Sequence, residues 1–333
     1  MKIGIIGLGY WGPNMVRNFL MNHNVASVIC CDISSKRLEL IKQKFPAVET
    51  VTDYKAILKN PSVVAVAIVT PVSTHFRLAK EALDAGKHVL VEKPITGSVA
   101  EAQALIDLAE KKKLTLMVDH TFIYTGAVRK IKELVQQGEL GDIFYFDSVR
   151  VNLGLFQHDV NVLWDLAPHD ISVMDYIVGQ KPVSVCAVGT SHFNSIEDMA
   201  YVTVIFEKNL IAHFHVNWLS PVKVRKILIG GSKKMIVYDD MEPSEKVKVY
   251  NKGVDVQSEE MVHNVLVQYR MGDMYSPQLD QTEALTLMCE DFIESIISER
   301  KPQADGISGF NVVRILEAAQ RSLKNGGMLV PIE

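Results

Sequence analysis

The chain has 333 residues, of which 48% are hydrophobic and 22% charged, with a formal net charge of −4. That length suits two domains better than one, and the composition supports large cores and excludes global disorder. The mildly acidic balance, without a Lys/Arg block, excludes nucleic acid as a favoured partner, and no apolar run is long enough to span a membrane.

The first strand expected is Ile3–Ile6. It runs into Gly7-x-Gly9-x-x-Gly12 and then into a helical pattern over Tyr10–Met21. Strand, tight turn and helix in that order form the dinucleotide fingerprint. One glycine makes the turn, one lets the backbone approach a pyrophosphate, and one lets the helix pack on the strand. Free N–H groups at the helix start face the phosphates. The opening apolar run is broken by glycines and lacks a cleavage-type ending, so it is not expected to be a signal peptide. A second strand, Ala26–Cys31, ends in Asp32, about twenty residues downstream, where the fingerprint needs an acid for the ribose hydroxyls. Cys30 and Cys31 are adjacent on that strand, and Cys186 and Cys289 lie far away. Without a C-x-x-C pair this reads as reduced thiols in a cytoplasmic protein.

Further strands are expected at Val64–Val69, His88–Val91 and Thr115–Val118, with helices at Lys36–Lys44, Tyr54–Leu58, His75–Ala85 and Ala100–Lys112. Repeated βα units predict a doubly wound parallel sheet. Gly86 reads as a helix stop and Ser98 as an N-cap. Beyond His120 the pattern changes. After a helix at Ala127–Gln137, strands are expected at Ile143–Asn152, Pro182–His192, Ala200–Phe206, Ile211–Trp218, Val224–Gly230, Met235–Asp239 and Val247–Tyr250, several joined by short turns. That is the hairpin pattern of a mostly antiparallel sheet. One helix, Asp170–Val178, interrupts it, and two more, Thr282–Ser298 and Ser308–Lys324, close the chain. The fold class expected is α/β, a Rossmann domain over residues 1–120 and an α+β domain with a large open-faced sheet over 121–305. Residues 306–333 form a helix and tail expected to return to the Rossmann domain.

Three segments carry candidate chemistry. Thr70-Pro71-Val72-Ser73-Thr74-His75 follows a strand, where ligands bind in open α/β sheets. Thr70, with Ser73 and Thr74, can reach ribose or phosphate oxygens, and His75 reads either as a helix cap or as a ligand contact. Next, His88–Val91 leads into Glu92-Lys93-Pro94, with a candidate cis peptide before Pro94. Lys93 there reads either as a surface lysine paired with Glu92 or as a charged donor to a substrate hydroxyl. Third, Asp165 and His169 are four apart. If a helix starts near Asp165 they share a face, and the carboxylate orients the imidazole as a general base, although such pairs also serve as caps. His213 and His215 share a strand face but lack a third ligand, so no metal is expected. Tyr124 lies just past the domain switch, where it lines a cleft or packs the junction.

These segments together resemble the glucose–fructose oxidoreductase / inositol dehydrogenase / rhizopine catabolism (Gfo/Idh/MocA) family. The resemblance rests on Gly7-x-Gly9-x-x-Gly12, Thr70-Pro71-x-x-x-His75, the run from Ala85-Gly86-Lys87-His88 to Glu92-Lys93-Pro94, Asp165-x-x-x-His169, and the ending from Asp305-Gly306 to Gly326-Gly327. It implies a nicotinamide-dependent oxidoreductase acting on a secondary alcohol of a sugar or cyclitol, with Lys93, Asp165 and His169 as the catalytic set. It implies NAD as cofactor, with NADP the alternative, held by Gly7, Gly9, Tyr10, Trp11, Gly12, Asp32, Thr70, Pro71, His75, Glu92 and Lys93. Substrate contacts are assigned to Lys93, Tyr124, Asn152, Asp165 and His169. The tract Leu163–Ile171 is similar to relatives that act in nucleotide-sugar pathways, which points to a nucleotide-linked sugar ahead of a free sugar or inositol. A regulator that binds dinucleotide without turnover is the reading from another class. The family implies a homodimer or homotetramer formed through the open sheet face.

Overall fold

The computed structural model describes residues 1–154, 160–193, 195–255 and 268–333. It divides into two compact units. The first takes Met1–Tyr124 and Thr282–Arg314, and the second takes Thr125–Gln281 and Ile315–Glu333.

In the first unit six parallel strands are ordered β3-β2-β1-β4-β5-β6. They are β1 (Lys2–Ile6), β2 (Ser27–Cys31), β3 (Glu49–Val51), β4 (Val63–Ile68), β5 (His88–Glu92) and β6 (Leu116–Asp119). Helices α1 (Gly12–Met21), α2 (Ser35–Lys44), α3 (Tyr54–Lys59), α4 (His75–Asp84) and α5 (Val99–Lys112) link them. The order reverses at β1, the switch point where such sheets bind ligands beyond their carboxyl ends. The strands read as continuous apolar runs because both faces are covered: Ile3, Ile5, Val28 and Ala65 through Ile68 are fully buried. Gly86 takes φ +74° after α4, and the Ser98 side chain accepts a hydrogen bond from Glu101 N at the start of α5. Both are the stop and cap expected. The three residues of β3 were too short to show in the sequence.

The second unit is built on a nine-stranded sheet, β14-β13-β12-β11-β7-β10-β9-β8-β15. These strands are β7 (Ile143–Leu153), β8 (Pro182–Thr190), β9 (Met199–Phe206), β10 (Ile211–Asn217), β11 (Leu219–Gly231), β12 (Met235–Asp239), β13 (Val247–Asp255), β14 (Gln268–Tyr275) and β15 (Val330–Pro331). All pairs are antiparallel except β7 with β10. Helices α6 (Gly126–Gln136) and α7 (Val162–Val178) belong to this unit. Alternation along β10 decides which face is covered. Ala212, Phe214 and Val216, with Trp218 just beyond, lie at 0 or 1% exposure on the side of α7. On the opposite face Val188, Tyr201, Ile205 and Ile211 remain 36–50% exposed.

Three differences from the sequence reading have physical causes. Helix α7 starts at Val162 rather than Asp170, with Pro168 inside it. Proline normally ends a helix by removing a donor. Here burial of Val162, Leu163, Ala167, Pro168 and Ile171 holds the first turns despite that loss. Strand β14 carries Arg270, Gly272 and Asp273, residues of low strand propensity, and was not expected. Finally, residues 282–305, grouped with the second domain in the sequence reading, cluster with the first unit, where Phe19 of α1 meets Phe292 edge-on at 6.3 Å. The Gly306–Lys324 helix belongs to the first unit through Arg314 and to the second from Ile315, and Val330 in β15 pairs with Val185.

Candidate active site

The fingerprint turn is shaped by steric need. Gly7 has φ +101°, and a β-carbon there would collide with the Val69 carbonyl oxygen. A β-carbon on Gly12 would lie 2.5 Å from the Gly7 oxygen, whereas one on Gly9 would meet nothing within 4 Å. Gly9 thus leaves its backbone open on the side a pyrophosphate needs. Asp32 follows β2 and is 5% exposed. Its carboxylate accepts hydrogen bonds from Leu8 N and Ser34 N, each at 2.8 Å, so the acid braces the turn itself. Arg37 reaches it at 3.4 Å from a largely exposed position. Tyr10 and Trp11 stand out from the turn, 85% and 49% exposed and edge-to-face at 5.4 Å. An open glycine backbone, a braced acid and two exposed aromatic rings fit an adenine dinucleotide.

At the end of β4, Thr70 Oγ1 lies 2.7 Å from Thr74 Oγ1, and Pro71 is exposed. His75 is 1% exposed. Its Nδ1 lies 2.8 Å from the Pro94 carbonyl and its Nε2 2.7 Å from the Thr70 carbonyl. Both ring nitrogens therefore face main-chain carbonyls, and His75 joins the loops after β4 and β5. The Lys93–Pro94 peptide is cis. Lys93 N donates to Glu92 Oε2 at 3.0 Å. Glu92 pairs in register with Asp119 on β6, and their carboxyls are hydrogen-bonded. Burial, together with the Asp119 charge, pushes the Glu92 acid up to about 8 against the pull of Lys93. Beside them His120 is 2% exposed, and neither ring nitrogen has a hydrogen-bond partner among the described residues. Burial and the Lys93 charge push its pKa down to about 3, so it is neutral.

Tyr124, expected from sequence to contact substrate, has its hydroxyl engaged inside the first unit. It is 3% exposed, its hydroxyl donates to Asp291 Oδ2 at 2.7 Å and accepts from Ala304 N at 3.2 Å. Both capacities of the phenol are thereby committed to packing within the first unit.

The second unit presents Asp165 and His169 on α7, both half-buried. Asn161 caps the helix by accepting from Trp164 N at 3.1 Å. Gln320 then accepts from Asn161 Nδ2 at 2.8 Å and from Trp164 Nε1 at 3.2 Å. One turn on, Asp165 Oδ2 accepts from the indole N–H of buried Trp218 at 3.1 Å. The next residue after His169, Asp170, is 3% exposed and takes a bidentate pair from Arg150 on β7, at 2.9 and 2.6 Å, plus Ser148 Oγ at 2.8 Å. These bonds fix the rotation of α7 on its sheet and so the face shown by Asp165 and His169. Asn152 lies half-buried near the end of β7. Trp218, Arg150 and Asp170 were not anticipated as site residues. A cavity of about 560 Å³ in the first unit, lined by His88, Lys113, Leu116 and Arg300 among others, opens at the amino ends of β5 and β6, the wrong end of the sheet for this chemistry.

Residues 1–120 match the family model described as "Oxidoreductase family, NAD-binding Rossmann fold", and residues 128–237 match the "GFO/IDH/MocA C-terminal domain". The chain is 28% identical over 322 residues to UDP-N-acetylglucosamine 3-dehydrogenase of Acidithiobacillus ferrooxidans, covering 94% of each chain. A solved structure of that enzyme superposes with a TM-score of 0.79 at 25% identity, covering 98% of both chains. Myo-inositol 2-dehydrogenase of Thermotoga maritima is 24% identical over 97% of this chain and 96% of its own. A levoglucosan dehydrogenase structure shares the fold, with a TM-score of 0.85 at 19% identity over 100% of this chain and 99% of its own. The fingerprint turn and its acid thus stand in an NAD-binding Rossmann domain, and the chain belongs to the Gfo/Idh/MocA oxidoreductase family.

Proposed function

We propose that the protein interconverts a secondary ring hydroxyl and the matching ketone of a sugar, with a nucleotide-linked sugar as the leading substrate and NAD as the cofactor. The observation that carries this reading is the Asp165/His169 pair on one face of α7, with Asp165 held by the buried Trp218 indole. Removing a proton from an alcohol needs a base whose direction is fixed, and a carboxylate one turn away on a rigid helix supplies that. When bound, the nicotinamide supplies the hydride acceptor or donor. On this chain His169 takes the hydroxyl proton and Asp165 orients it. Lys93 donates to the reacting oxygen and steadies its developing negative charge. The match to UDP-N-acetylglucosamine 3-dehydrogenase over 94% of both chains supports the nucleotide-linked substrate; the inositol dehydrogenase match at 24% supports the polyol alternative. Buried Asp32 favours a free ribose over a 2′-phosphate, while Arg37 beside it works the other way.

The deciding experiment is turnover with NAD and NADP against nucleotide sugars, free sugars and inositols. Oxidation of a nucleotide sugar with NAD is the expected result. Tighter NADPH binding would reverse the cofactor preference, and no turnover on the whole panel would favour a dinucleotide-binding regulator. The reading places the protein in the cytoplasm and includes a homodimer or homotetramer joined through the exposed sheet face around Val188, Tyr201 and Ile211. Light scattering at micromolar concentration tests the assembly, and a monomer mass would refute it.

A further inference from the structure

Within the first unit, two carboxyls meet at the ends of neighbouring strands. Glu92 closes β5 and Asp119 closes β6, and the parallel register sets them directly side by side. Asp119 is 6% exposed, and Thr121 donates to its Oδ1 through both backbone N–H and hydroxyl. Two carboxylates at hydrogen-bond distance in a poorly hydrated place cannot both stay ionised, because like charge and desolvation act together. A hydrogen bond between them needs a proton on one.

The surroundings decide which one. Asp119 receives two bonds from Thr121, which favour its charged form. Glu92 receives the Lys93 backbone N–H alone besides its partner, and burial outweighs it. Among the described residues, the other groups beside the pair are the Lys93 ammonium, neutral His120 after β6, the Tyr124 phenol with Asp291 behind it, and Cys289 on the Ala284–Ile297 helix. His75 stands beyond, against the Pro94 carbonyl. Among the described residues, Lys93 is the cation acting on both carboxyls.

We propose that Glu92 and Asp119 hold one proton between them at neutral pH, with Glu92 the acid and Asp119 the carboxylate, and that Asp119 is thereby the positioning residue and counter-charge for Lys93. The balance is simple: below the transition the pair carries one negative charge against one ammonium. Above about pH 8 the shared proton leaves for solvent, and a second negative charge appears beside Lys93. That extra charge draws the ammonium toward the carboxyls and away from a substrate oxygen. The inference rests on Lys93 being the substrate-facing donor proposed above.

Two measurements test it. Difference infrared spectra of the full chain between pH 7 and pH 9.5 should show a protonated-carboxyl C=O band at pH 7 that disappears at high pH. Glu92→Gln should abolish that band. Asp119→Asn should move its loss to lower pH by about one unit or more, since the like charge beside Glu92 is gone. Absence of the band in the wild type, or its persistence in Glu92→Gln, overturns the shared proton. Secondly, the high-pH limb of the kcat profile should shift with the band in Asp119→Asn, with KM nearly constant, and return toward wild type in Asp119→Glu. An unshifted limb in Asp119→Asn overturns the positioning role. If instead Lys93→Ala keeps full turnover, the catalytic reading of Lys93 fails while the infrared result still stands on its own.

Discussion

The two sheets handle polar groups in opposite ways. In the first unit both faces are covered, so the central strands are apolar in their interiors and polar side chains collect where they stop: Asp32 after β2, Glu92 and Asp119 at the ends of β5 and β6. In the second unit one face is covered and the other open, so polar residues can occupy strand interiors. Arg150 sits in mid-strand on the covered side of β7, 4% exposed, and survives there because the Asp170 carboxylate accepts from both Nε and Nη2 along one edge of its guanidinium. The first arrangement gathers titratable groups at the carboxyl ends of the strands; the second uses an ion pair as a peg under the helix that carries Asp165 and His169.

The sharpest way to break this contrast is to remove one half of the peg. Arg150→Met leaves Asp170 buried without its cation and should cost about 3–5 kcal/mol of unfolding free energy, read from denaturant melts. Replacing both, Arg150→Met with Asp170→Leu, should recover most of that loss. If the single variant is as stable as wild type, the peg has no structural weight. Next in size are the groups proposed to react. Lys93→Ala and His169→Ala should each lower kcat by roughly a hundredfold or more, with dinucleotide affinity nearly unchanged in His169→Ala. Full turnover in His169→Ala would make His169 structural and leave Lys93 as the base. Trp218→Phe removes the donor to Asp165 and with it part of the buried indole. It should lower kcat by about tenfold, in line with one lost hydrogen bond of ~1.4 kcal/mol.

The remaining effect belongs to the strand-end acids and is read in how stability changes with pH. Glu92 has a folded pKa of about 8, raised above its ordinary 4.5. The unfolded chain therefore holds fewer protons than the folded one between those values. Its contribution to stability is full below pH 4.5, declines as pH rises, and is gone above about 8. Thermal midpoints of Glu92→Gln, which cannot ionise, should gain on wild type as pH rises from 5 to 9. A constant difference across that range would show that Glu92 ionises normally.

Much of this was legible in local sequence because local sterics wrote it there. The glycines of Gly7-x-Gly9-x-x-Gly12 are demanded by a turn only glycine can make, and Glu92-Lys93-Pro94 interrupts an apolar strand abruptly. What was hidden came from long-range pairing. Trp218 reaches Asp165 from 53 residues away, and Glu92 meets Asp119 only because β5 and β6 align in parallel. The start of α7 was obscured by Pro168, a local stop signal overruled by burial. Tyr124 looked like a site residue by position, but its hydroxyl was already spoken for by Asp291 and Ala304, partners on a segment that returns late in the chain.

That late return has a consequence for the order in which the molecule is made. The first unit needs Thr282–Arg314 to complete it, and the second needs residues from Ile315 onward, where Gln320 ties down the start of α7 and Val330 extends the sheet. Neither unit has all its parts until the final sixth of the chain has been synthesised. A ribosome translating this message carries two open cores at once, with Phe19 awaiting Phe292 throughout. A nascent chain stalled near residue 280 should bind chaperones and resist neither protease nor aggregation, although both of its sheets have by then been almost entirely translated.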